Sequence, residues 1–194
     1  MGNVYLIGMM GSGKSTVGKI LAEKIGYSFF DTDEFIVSST GKSIANVLSE
    51  DGDDALALHE FTALSSAPIN ECIISTGGRT YLDKKCREFI DNTGKVVFLD
   101  TGVKDIADRL NTEEMKKRNF NIDSRDELIN FLNKLRRERL AAYKSRSMII
   151  EGSGTPNEVC KRIVRGFKNE KIRAALREGV ELTGFQEDTS EEDV

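Results

Sequence analysis

The stretch Gly8-Met9-Met10-Gly11-Ser12-Gly13-Lys14-Ser15 constrains this chain more than any other, because it fits the phosphate-cradling spacing G-x-x-x-x-G-K-[ST]. The flanks fit too. Asn3 to Ile7 reads as a short buried strand, and Thr16 to Ile25 carries apolar residues at 17, 20, 21 and 25, a helical spacing. A strand that feeds a glycine turn and then a helix points several backbone N–H groups at one spot, with the positive end of the helix dipole behind them. Lys14 adds a full positive charge for the β- and γ-phosphates, and Ser15 offers a hydroxyl to Mg²⁺. The motif predicts binding of a nucleoside triphosphate.

A chain of 194 residues suits one α/β domain with a substantial core. Its hydrophobic content of 39% and charged content of 31% are those of an ordinary soluble protein. No apolar run approaches the ~20 residues of a membrane span, so no membrane partner is expected. The sequence enters a strand almost at once, so no signal peptide is expected either. Cys72, Cys86 and Cys160 are odd in number and show no C-x-x-C spacing, which suggests reduced thiols and a cytoplasmic location. The net charge of -4 gives no reason to expect nucleic acid. Basic residues do gather between Lys161 and Arg177 at helical spacing, as a solvated face, and the chain ends in the acidic run Glu187 to Val194.

Further strands read at 28–31, 71–76, 94–100 and 147–151, separated by helical stretches at about 33–39, 43–50, 53–65, 82–91, 103–110, 124–143 and 156–168. This alternation implies a parallel sheet with helices on both faces. Ligands then gather beyond the carboxyl ends of the strands. The glycine loop, Asp31-Thr32-Asp33, Ser75 to Arg79 and Asp100-Thr101 all fall on that edge. Asp31 and Asp33 alternate just past a strand end, so one can reach a Mg²⁺ shell while the other orients or deprotonates an attacking hydroxyl. Either could instead cap the following helix.

The order G-x-x-G-x-G-K-S-T-x-G-x-x-L-A, then F-x-D-x-D, then T-G-K-S-I, then a strand ending in S-T-G-G resembles shikimate kinase over about residues 2–167. The resemblance implies an α/β P-loop kinase fold in three layers, with a five-stranded parallel sheet flanked by helices, plus a lid. The kinase domain would span 1–168, with an acceptor-binding subregion at about 33–65 and a lid at about 111–124. Residues 169–194 would form a C-terminal helix and a disordered acidic tail.

Roles follow from the resemblance. Gly11, Ser12, Gly13, Lys14, Ser15 and Thr16 would hold the triphosphate of ATP, with Ser15 on Mg²⁺ and Asp31 in its outer shell. Asp33 would bind the acceptor hydroxyl as base or orienter. Gly77 and Gly78 would let the backbone approach the acceptor, and Arg139, set with Tyr143 at the family's R-x-x-x-Y spacing, would pair with its carboxylate. Arg118 would swing in with the lid to neutralise the transferring phosphoryl group, Arg109 would stack over the adenine, and Pro156 would lie in the loop beside it.

The departures concern the acceptor. The family pattern G-E-x-x-F-R-x-x-E reads here as Gly52 to Glu60, with Ala57 where a substrate arginine is expected and Leu56 where an aromatic packs. The triple glycine reads Gly77-Gly78-Arg79. Arg79 either supplies the missing charge from a new direction or points to solvent beside an altered acceptor site. His59 reads as a structural helix residue. The expected function is ATP- and Mg²⁺-dependent phosphorylation of a hydroxyl on a small anionic metabolite, shikimate first, by a monomer. The alternatives are a different small hydroxylated acceptor, or a nucleotide-binding regulatory protein with weakened turnover.

Overall fold

A computed structural model describes residues 2–110, 112–117 and 120–177, with the side chains of 113, 114, 117 and 169–177 left aside. Five strands form one parallel sheet: β1 (Asn3–Ile7), β2 (Ser28–Asp31), β3 (Cys72–Ser75), β4 (Gly94–Asp100) and β5 (Met148–Glu151), in the order β2-β3-β1-β4-β5. β1 lies at the centre, so the glycine loop that follows it emerges between neighbours on both sides.

Side-chain alternation along the strands builds the two flanking layers. Tyr5, Ile7, Cys72, Ile74, Val96 and Phe98 face one way, onto α5 (Lys84–Thr93), α6 (Val103–Arg109) and α8 (Arg125–Lys144). Val4, Leu6, Ile73, Val97, Leu99 and Ile150 face the other, onto α1 (Lys14–Ile25) and α9 (Pro156–Arg177). A smaller third cluster of Ile36, Val47, Leu56 and Ala63 joins α2 (Thr32–Thr40) to α4 (Gly52–Ser66).

All five strands and the expected helices form, with particular differences. The stretch read as one helix at 43–50 is a short helix, α3 (Ile44–Asn46), followed by a π turn at Val47–Asp51 that ends on Gly52. A 3-10 turn at Thr80–Leu82 precedes α5, because Asp83 caps that helix by accepting from the Cys86 N–H at 2.8 Å. The segment 111–124 contains a helix, α7 (Thr112–Lys117), that periodicity did not reveal. Its Met115 is fully buried in the main core, as is most of Ile122 further on. α9 runs past 168 without a break to Arg177, opened by a reciprocal cap in which Thr155 N donates to Glu158 at 2.7 Å and Glu158 N to Thr155 Oγ1 at 3.4 Å. The backbone N–H and hydroxyl of Thr155 hold the Glu158 carboxyl below its usual range. Arg118, Asn111 and the acidic tail lie outside the described residues.

Candidate active site

The loop after β1 turns on glycines in backbone conformations that L side chains rarely adopt. Gly13, at the N-cap of α1, has a φ of 97°. Lys14 is almost fully buried, and its Nζ donates to the carbonyls of Gly8 at 3.1 Å and Met9 at 2.9 Å, across the mouth of the loop. Arg109, at the end of α6, donates to the carbonyls of Ser12 at 3.0 Å, Gly11 at 3.4 Å and Gly152 at 3.2 Å. It therefore braces the loop from outside. With Gly13, Thr16, Gly152 and Pro156 it also lines a side cavity of about 210 Å³.

β2 and β3 end in register, Asp31 opposite Ser75. The Ser15 hydroxyl donates to Oδ2 of Asp31 at 2.6 Å and lies 3.2 Å from the Ser75 hydroxyl. Oδ1 of the same carboxylate caps α2 by accepting from the N–H groups of Asp33 and Glu34. Of the two aspartates that the sequence offered as caps, Asp31 caps α2 and Asp33 does not, and the other Asp31 oxygen faces Ser15. The three oxygens of Ser15, Asp31 and Ser75 are hard donors of the kind Mg²⁺ takes alongside phosphates and water. Among the described residues no cluster of three or more His, Cys, Asp and Glu forms a metal cage.

The residue before Asp33 ties two segments together. The fully buried Thr32 hydroxyl donates to Ser75 O at 3.3 Å and accepts from the Gly77 N–H at 3.0 Å, locking the start of α2 onto the loop after β3. Gly77 is where three side-chain oxygens converge. A Cβ added there would lie 2.7 Å from Glu60 Oε1, 2.9 Å from Asp33 Oδ1 and 2.9 Å from Thr80 Oγ1. At Gly78 the nearest atoms, Arg139 Nη1 and Met10 N, are 3.5 Å away, an ordinary contact. Arg139, mostly buried on α8, and Tyr143 one turn on both donate to the Gly78 carbonyl, so the helix and the loop hold each other.

Several of these groups line one cavity of about 650 Å³. Lys14, Ser15 and Thr16 line it together with Asp33, Glu60, Gly77, Arg79 and Arg139, and its apolar lining includes Leu56 and Phe131. Arg79 pairs with Asp53 at the start of α4, at 2.6 Å, rather than standing free in solvent. Ala57 and the half-buried His59 are not among the described lining residues. Asp100 pairs with Arg136 of α8 at 2.6 Å and so serves the scaffold. Sequence reasoning passed over Glu60, although it closes the acceptor-helix pattern, and over the lock at Thr32.

The family model for shikimate kinase matches residues 10–168. The chain belongs to the shikimate kinase family. A curated relative, shikimate kinase 2 of Yersinia pseudotuberculosis, is 26% identical over 170 residues, 88% of this chain and 98% of its own length. The crystal structure of shikimate kinase from Bacteroides thetaiotaomicron superposes with a TM-score of 0.78 at 26% identity, over 86% of this chain and 98% of that one. The solved structure of shikimate kinase from Acinetobacter baumannii in complex with shikimate gives a TM-score of 0.77 at 28% identity, over 89% of this chain and 96% of that one. Membership makes the protein a P-loop kinase, a phosphotransferase of a family that uses ATP and Mg²⁺. The five-stranded parallel sheet flanked by helices is this family's fold. Among the described residues no helix is long and apolar enough to cross a membrane.

Proposed function

We propose that this protein transfers the γ-phosphoryl group of ATP to a hydroxyl of a small carboxylate-bearing acceptor, with shikimate the first candidate. The supporting observation is that Lys14 and Ser15 share one cavity with Asp33 and Arg139, so a triphosphate and an acceptor fit within reach of each other. Arg139 offers a planar fork to the acceptor carboxylate. Asp33 orients the attacking hydroxyl and takes its proton, and the loop amides with Lys14 hold the β- and γ-phosphates. Ser15 and Asp31 would hold Mg²⁺, which supplies charge neutralisation between the phosphates. Arg109 and Pro156 border the base of the nucleotide, and Arg118 supplies a further positive charge by resemblance alone. We read the protein as a cytoplasmic monomer acting on small molecules, without nucleic-acid or membrane partners.

A second reading keeps the chemistry and changes the acceptor to another small hydroxylated metabolite. It is favoured by Ala57, which carries no charge, and by the engagement of Arg79 with Asp53. A coupled ADP-release assay over shikimate and a set of other hydroxy acids separates the two. Asp33→Asn is expected to lower turnover by about 10²–10⁴-fold with ATP affinity kept. ADP release from every acceptor at the wild-type rate in that variant would refute the role of Asp33.

A further inference from the structure

Helix α4 carries a titratable group into the cavity that the phosphotransfer reading does not use. Glu60 is 4% exposed, and its Oε1 accepts from the Thr80 hydroxyl at 2.7 Å. Glu60 Oε1 and Asp33 Oδ1 approach the Gly77 Cβ position to 2.7 Å and 2.9 Å, so the two carboxyl groups flank the same glycine. No cation on its own helix answers it, because position 57, one turn before, is alanine. Arg79 is drawn to Asp53. The other groups around Glu60 are Asp83 and Cys86 on α5, and Arg139 and Tyr143 on α8. Burial raises the Glu60 carboxyl to about 7, opposed by the Thr80 hydrogen bond, raised further by the negative charges of Asp33 and Asp83, and eased by Arg79.

Two carboxyl groups that share a wall and differ in surroundings divide their tasks, one ionised and one protonated. We propose that Glu60 sets which acceptors enter: as a neutral acid it donates a hydrogen bond to an anionic acceptor beside Asp33, and as a carboxylate it repels that acceptor. The inference rests on reading this cavity as the acceptor site of a phosphotransferase. Here a proton takes the place of the missing guanidinium. A neutral polyol would be indifferent to the change, so the discrimination applies to anionic acceptors only.

The test compares wild type with Glu60→Gln from ~pH 6 to ~pH 9 at saturating ATP and Mg²⁺, with shikimate and its uncharged methyl ester as acceptors. In wild type the KM for shikimate should climb toward ~10-fold per pH unit above the titration of Glu60, with kcat not following it. The KM for the ester should stay level, and Glu60→Gln should be level for both. Parallel shikimate profiles in the two proteins would overturn the proposal while leaving phosphotransfer intact. An infrared difference spectrum between the two proteins gives a readout without turnover. It should show a protonated carboxyl band at ~pH 6 that fades by ~pH 9, and absence of that band at the lower pH overturns the proposal whatever the acceptor. Failure of every acceptor to release ADP at any pH would sink the phosphotransfer reading, and this inference with it.

Discussion

The Ser15 hydroxyl donates to Oδ2 of Asp31 at 2.6 Å, while Oδ1 of that carboxylate accepts from Asp33 N at 3.0 Å and Glu34 N at 3.3 Å. One side chain therefore ties the start of α1 to the end of β2 and caps α2. Asparagine keeps an oxygen for the cap but loses the charge. Asp31→Asn should melt near wild type yet need more Mg²⁺ for half-maximal rate. Asp31→Ala should also lose about 1 kcal/mol of stability. Thermal melts and Mg²⁺ titrations of activity separate the two effects.

Arg139 is tested by the acceptor, not by ATP. Its removal should weaken an anionic acceptor by about 2–5 kcal/mol, roughly tens- to thousands-fold in KM, with the KM for ATP little changed. Lysine keeps the charge but loses the planar fork, so Arg139→Lys should recover only part of the loss. Initial rates with each substrate varied in turn decide it.

Arg79 and Asp53 are both substantially exposed, so their pairing should contribute at most about 1 kcal/mol to stability. Its effect should fall on binding. Arg79→Ala should raise the KM for shikimate, and Asp53→Asn, which releases the guanidinium, should lower it. If neither variant moves the KM, the acceptor carboxylate does not meet Arg79, and the second reading gains.

Gly77→Ala should be far more damaging than Gly78→Ala. The added methyl at 77 would press on the Glu60 and Asp33 carboxyl groups, whereas at 78 it meets its neighbours at ordinary distance. Displacing Asp33 by even part of an ångström should cost ~10²-fold in turnover. Retained ATP binding, read by calorimetry, would show that the phosphate half survives.

The stability of the protein should depend on Glu60 with a definite sign. Its folded-state value of about 7 lies above the ordinary 4.5, so the folded protein holds more proton than the unfolded chain between those values. Stability from this group therefore falls as pH rises through that window and stays low above it. Glu60→Gln should match wild type at ~pH 4 and exceed it at ~pH 8, by up to about 3 kcal/mol. Denaturant titrations at the two pH values give the difference.

The phosphate half was legible because its determinants are local. Gly8 to Ser15, the strand before it and the helix after it are contiguous, and the alternation of Val4 and Leu6 against Tyr5 and Ile7 announces a sheet covered on both faces. The acceptor half depends on contacts between residues far apart in the chain. Thr32 reaches Ser75 and Gly77, Glu60 meets Thr80, and Arg79 turns back to Asp53. None of these follows from spacing, although Glu60 stood in plain view at the end of the acceptor-helix pattern. α7 escaped notice because a short helix with one anchoring residue, Met115, has too few turns to show a period. The helical spacing of the basic residues between Lys161 and Arg177 was legible, but not that they continue the helix begun at Pro156 without a break.

Ile36, Val47, Leu56 and Ala63 form a nucleus of their own beneath the acceptor wall, apart from the two layers that clasp the sheet. Leu56 belongs both to this nucleus and to the cavity lining, so a change in its volume moves wall and nucleus together, while the two layers that clasp the sheet are sealed by other residues.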